Sequence, residues 1–85
     1  MNYNEIIEHL VKRRLELGLT QKSLGQMIKK SGQSISNIEC SLYCPFPKTV
    51  EKLIVALQIS EPEATQIKNN LKQFRIDNRN QRRQA

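Results

Sequence analysis

Apolar residues in this chain recur at steps of three and four and never settle into alternation. Ile6, Leu10 and Leu17 mark one stripe, with Arg14 on the same line; Leu24 and Ile28 lie one turn apart, and so do Ile35 and Ile38. Val50, Leu53, Ile54 and Leu57 form a fourth set, and Ala64, Ile67, Leu71 and Phe74 a fifth. A period near 3.6 residues places each set on one face of a helix, and no stretch keeps the period of two that a half-buried strand needs. The expectation is an all-α chain: a compact bundle of about five helices. At 85 residues it has room for one core and not for two.

The punctuation between the stripes sets the helix ends. Gly18 follows the first stripe, predicted over Asn4 to Leu17, as a C-terminal stop does. Thr20 and Ser31 precede the second and third stripes as N-caps, predicting short helices that end near Lys29-Lys30 and near Glu39. Pro45 and Pro47 make Cys40 to Pro47 a loop, and a fourth helix is predicted from Lys48 to Gln58. Ser60-Glu61-Pro62-Glu63 reads as a capping box, with Ser60 as cap, Glu63 reaching back and Pro62 in the first turn of a fifth helix. That helix is predicted to reach Ile76, which makes 1–76 the folded domain and 77–85 a frayed, basic tail.

Several classes of function are set aside by composition. The longest apolar run, Leu53 to Leu57, spans five residues, against the roughly 20 of a bilayer span. The first residues lack the basic-then-apolar order of a secretory leader, so a cytoplasmic protein with no membrane partner is expected. One histidine and eight acids leave few ways to assemble a catalytic group set, and no phosphate-binding glycine loop is present; an enzyme is not expected, nor is a cofactor. Cys40 and Cys44, with His9 distant in sequence, fall short of the four ligands of a structural zinc site. They are expected to be ordinary free thiols, with a redox switch as the alternative.

Charge points elsewhere. Residues 68–85 carry six basic residues against Asp77, a net +5, while residues 1–67 carry eight basic against seven acidic, a net +1. A basic tail suits phosphates or an acidic partner; the alternative is a solvated tail.

The two short helices within about 20–39, joined by two or three residues, follow helix-turn-helix grammar, with Gly25 as the small residue where the helices touch. Leu19-Thr20-Gln21, Leu24-Gly25, Ile28, Ile35 and Glu39 stand at the spacing of the Cro/C1-type (XRE-like) helix-turn-helix domain, and Ala56-Leu57-Gln58-Ile59-Ser60 resembles that family's closing Ala-Leu-Gly-Val-Ser. The resemblance runs from about Ile6 to Ser60. It implies a bundle of the lambda-repressor-like type and a partly buried ion pair between Arg14 and Glu39. The family usually has Ala where Gly25 stands, and Gly where Lys29 and Gln58 stand.

The resemblance also implies how such a chain meets double-stranded DNA. The third helix enters the major groove, with Gly32, Gln33, Ser36 and Asn37 at the base edges. Gln33 and Asn37 each carry a carboxamide, the group that pairs with adenine N6 and N7. Gly32 either lets the backbone approach the DNA or marks a missing base contact. Phosphate contacts are expected from Thr20, Gln21, Lys22, Lys29, Lys30, Ser31, Ser34, Tyr43 and Lys48. Relatives dimerise, so a homodimer on a palindromic operator is expected, and a small repressor is the leading expectation. The fifth helix either supplies the dimer seam or packs on its own domain beside Val11 and Leu15. The second is favoured for Ile67 and Leu71, with Phe74 and Ile76 left open. Arg75, Arg79, Arg82 and Arg83 are candidate tail contacts, along the phosphates or in a minor groove. The alternative function is a protein-interaction module of the antitoxin or antirepressor kind, masking a toxin, an antirepressor or RNA polymerase; the near-neutral body and Gly32 favour it.

Overall fold

The computed structural model describes residues 2–42 and 44–84, with side chains described through residue 74. Tyr43 and the side chains of Arg75, Ile76, Arg79, Arg82 and Arg83 lie outside the described residues. Five helices follow one another: α1 (Tyr3–Glu16), α2 (Gln21–Met27), α3 (Gly32–Glu39), α4 (Pro47–Ala56) and α5 (Glu63–Gln84). There is no strand among the described residues. The fold class is the all-α bundle that the spacing predicts.

The three N-terminal helices start on side-chain caps. Asn2, Thr20 and Ser31 accept hydrogen bonds from the backbone amides of Glu5, Ser23 and Ser34 at 2.8, 2.9 and 3.0 Å. Each cap satisfies an amide that the first turn leaves without an intrahelical partner. α4 instead begins with Pro47 behind Phe46, which offers no side-chain cap; proline's missing N–H costs little at that position.

The first four helices end alike. The residue beyond each last turn is left-handed: Gly18 (φ 71°), Lys29 (φ 61°), Ser41 (φ 60°) and Gln58 (φ 55°). The next amide then bonds five residues back, Leu19 to Arg14, Lys30 to Gly25, Leu42 to Asn37 and Ile59 to Ile54, at 2.7–3.1 Å. This is the Schellman closure, which satisfies carbonyls that a helix end would otherwise strand. Only the first of the four has glycine at the left-handed position; the other three carry the cost of a Cβ there, about 1–2 kcal/mol each.

The beginning of α5 departs from the expected capping box. Glu63 does not turn back to Ser60; its carboxylate lies 3.1 Å from His9 Nε2 on α1. The helix begins at Glu63, so Pro62 precedes it, and Thr65 donates to the Glu61 carboxylate. At its other end α5 runs on to Gln84, past the expected stop at Ile76, because no glycine or proline interrupts 77–84.

The core draws on every helix. Ile6 and Leu10 of α1, Leu24 and Ile28 around α2, Ile35 and Ile38 of α3, Val50, Leu53 and Leu57 around α4, and Ile67 and Leu71 of α5 are all buried. α1 packs on α3 and α5, and α5 also packs on α4. Ile67 and Leu71 therefore belong to their own domain. Val11 packs against the core, but Leu15 is 62% exposed and does not join it. Phe74 lies against Tyr3 of α1, rings parallel to within 9° and centroids 4.1 Å apart, so part of its surface is already used within the chain.

Burial beneath that stack, and then the nearby Cys44 thiolate, push the Tyr3 phenol from 10.0 up to about 12. The folded state therefore holds this proton more tightly than the unfolded state. Tyr3's contribution is fully present below pH 10 and is lost as pH rises toward 12. We expect stability to fall through that window in wild-type protein and to fall less in Tyr3→Phe, measured by urea unfolding at successive pH values.

Candidate nucleic-acid interface

α2 and α3 pack directly on each other, and Gly25 permits it. A Cβ at Gly25 would sit 2.8 Å from Lys30 O and from the Ser31 carbonyl carbon and oxygen. These are backbone atoms that cannot rotate away. Gly25 O in turn accepts from Lys30 N at 2.7 Å. The alanine that the family resemblance implies at this position has no room here. Gly25→Ala is expected to destabilise the fold by about 1–3 kcal/mol through overpacking, read as a lower midpoint in thermal unfolding.

Gly32 has a similar explanation. A Cβ there would lie 3.2 Å from Lys22 Cα and 3.3 Å from Lys22 N. The residue is half-buried against the first turn of α2, so its missing side chain serves helix packing, whatever it does toward DNA.

The rest of α3 divides by face. Ile35 and Ile38 point into the core. Gln33 is exposed, and Ser36 and Asn37 are half-buried. Gln33 Nε2 donates to Asn37 Oδ1 at 2.9 Å. The two carboxamides thus form one connected pair along the outer face. Gln33 keeps its carbonyl oxygen and one amide hydrogen for a further partner, and Asn37 keeps both amide hydrogens.

Several of the expected backbone-contact residues are engaged within the chain. Thr20 Oγ1, besides capping α2, donates to Ser23 Oγ at 2.9 Å. Ser31 and Ser34 share a hydroxyl–hydroxyl hydrogen bond of 3.1 Å. Lys22, Lys29, Lys30 and Lys48 are all exposed, and none enters a described ion pair.

One network fixes α3 from behind. Arg14 Nε and Nη2 donate to the two oxygens of Glu39 at 2.7 and 3.0 Å, and Arg14 Nη1 donates to Leu19 O at 2.8 Å. The side chains of the pair are only 10% and 11% exposed. Gln21 Nε2 also donates to Glu39, at 3.1 Å, so its carboxamide braces α2 against α3. Sequence reasoning placed Gln21 among the phosphate contacts; its role as a brace had no local signal, because Gln21 and Glu39 meet only once the turn has closed. Ser23, which accepts a hydrogen bond from Thr20 three residues before it, was missed although it lies within the reach of local capping.

The near-neutral body is not uniform. Residues 20–48 hold four lysines against Glu39 alone, a net +3, and Glu39 is paired with Arg14. Residues 1–19 hold three basic and three acidic residues, and 49–67 hold Lys52 against three glutamates, a net −2. The basic excess of the body therefore coincides with α2, α3 and the loop behind them.

Cys40 is exposed and Cys44 is half-buried, with its Sγ donating to Pro45 O at 3.8 Å, and the described residues contain no cluster of three His, Cys, Asp or Glu that could hold a metal. No helix among them is long and apolar enough to cross a membrane.

No curated protein and no solved structure gives a significant match to this chain. The helix-turn-helix family model of the Cro/C1 type matches residues 10–63, a span that begins on α1 and ends on the first residue of α5. With its paired short helices, its left-handed turn at Lys29 and an outward polar face on α3, the chain belongs to the Cro/C1-type helix-turn-helix family of DNA-binding regulators.

Proposed function

We propose that this protein is a small repressor that binds a palindromic operator as a homodimer, with α3 in the major groove of each half-site. The observation that carries the reading is the joined Gln33–Asn37 pair on the outer face of α3, within the part of the body that holds its basic excess. The free oxygen and amide hydrogen of Gln33 match the N6 donor and N7 acceptor of adenine. Because Asn37 holds the Gln33 carboxamide in place, less side-chain freedom is lost when the base is bound. Lys22, Lys29, Lys30 and Lys48 supply phosphate contacts that set affinity and register without reading sequence. The tail arginines add to that term.

The two features that favoured a masking protein each have another account. The near-neutral body separates into a basic and an acidic portion, and Gly32 makes room for Lys22.

The test is selection from random duplex DNA at moderate salt, followed by titration of the selected site. A two-fold symmetric motif with half-sites about 10 bp apart is expected. Gln33→Ala and Asn37→Ala should each cost about 1–3 kcal/mol on that site and relax its sequence preference, with the salt slope unchanged. Lys30→Ala should instead weaken all sequences alike and reduce the slope by about one. Recovery of no motif, with binding that disappears steeply as salt rises, would reduce the protein to a non-specific phosphate binder.

A further inference from the structure

We infer that the open groove between the end of α2 and the outer face of α4 takes an acidic amphipathic helix of a protein partner, and that this partner and DNA compete for Lys48; the competition rests on the phosphate contact proposed above. The groove holds about 650 Å³. Met27, the last residue of α2, and Val55, in the last turn of α4, both line it and are 54% and 77% exposed. Single apolar residues scattered over a surface need no partner, whereas apolar side chains gathered in one groove lose free energy to water until something covers them. Here two separate helices contribute them. Methionine suits such a place, because its unbranched, polarizable side chain adapts to the shape of what docks on it.

Charge selects an acidic occupant. Lys48 and Lys52 line the groove one turn apart on α4; both are exposed, and neither enters a described ion pair. Glu51 lines it too, but it also lines the neighbouring groove toward α5, which Lys68 and Lys72 share. The surface on the two sides of Glu51 therefore holds four lysines against one glutamate. An amphipathic helix laid here sets its apolar side chains on Met27 and Val55 and its carboxylates against the lysines, the helix-in-groove mode of recognition. A DNA backbone could use the lysines but not the apolar pair. A second copy presenting the same face would oppose lysine to lysine.

The place of Lys48 gives docking a consequence. It belongs both to this groove and to the set of proposed phosphate contacts. A partner carboxylate on Lys48 takes that cation away from DNA and sets like charge against the phosphates. The partner therefore lowers affinity for the operator without touching Gln33 or Asn37.

Fluorescence anisotropy of three labelled helical peptides with the full chain tests the assignment. One has leucines along one face and glutamates on both flanks, the second has lysines in place of the glutamates, and the third has alanines in place of the leucines. The first is expected to bind at least about tenfold tighter than either of the others. Val55→Asp and Lys52→Glu should each weaken it by about tenfold, with unchanged circular dichroism spectra. The first peptide should also release a selected duplex from wild type and not from Val55→Asp. Equal binding of the glutamate peptides with and without leucines would reduce the attraction to charge alone and overturn the site. Docking that releases no duplex overturns the competition. Self-association of wild type that Val55→Asp abolishes would place the α1 strip of a second copy in the groove, where Val11 and Leu15 lie among Glu8 and Glu16, and so overturn the separate partner. A chain that selects no operator yet binds the peptides in the expected order overturns the proposed repressor and leaves the groove assigned.

Discussion

Glu39→Ala is expected to destabilise the protein by about 3–5 kcal/mol, the range for breaking a buried ion pair from one side. A domain of this size has a total stability of roughly 4–13 kcal/mol, at about 0.05–0.15 kcal/mol per residue, so the variant would be marginal. The loss has two parts. Arg14 keeps only its bond to Leu19 O, and its guanidinium stays nine-tenths buried without a countercharge. The Gln21 carboxamide loses its acceptor at the same time. Replacing both charges, Arg14→Met with Glu39→Leu, should recover a large share of the loss, since no buried charge is then left alone. Urea unfolding of the two single variants and the double variant measures the coupling directly, and strictly additive losses would show that the pair does not act as a unit.

Ile67→Ala is the second large effect, at about 2–5 kcal/mol. Ile67 is completely buried on α5, and a methyl group in its place leaves a void between α5 and the helices it packs on. The loss is expected to be the same at every protein concentration, because the void lies within one chain. A loss that grew on dilution would instead place Ile67 in contact with a second copy.

These expectations draw unequally on sequence and structure. The caps at Thr20 and Ser31 and the stop at Gly18 are legible in the residues, because a capping hydroxyl acts on amides two or three residues away. The left-handed positions at Lys29 and Gln58 were legible only through the family pattern, in which glycine stands there; neither residue type announces a positive φ. Ser41, in the same conformation, had no signal at all. The failed capping box shows the limit of local grammar. Glu63 had the right spacing to serve Ser60, but His9 of α1 lies 54 residues away in sequence and takes the carboxylate instead. The outer face of α3 could be read from the helical period. The brace from Gln21 to Glu39 could not, because it depends on how closely α2 and α3 approach.

That approach limits which reading heads this scaffold accepts. The first turn of α3 lies so near Lys22 that a Cβ at Gly32 would come within 3.2 Å of that residue's backbone. Transplanting the third helix of a relative, a natural route to a new operator preference, would introduce a side chain at this position unless the donor also has glycine there. The graft would then tilt α3 away from α2 by a few tenths of an ångström at its base-reading end. New specificity in this lineage is therefore expected to arise at 33, 36 and 37, where the side chains face outward, while 32 stays glycine or changes together with 22.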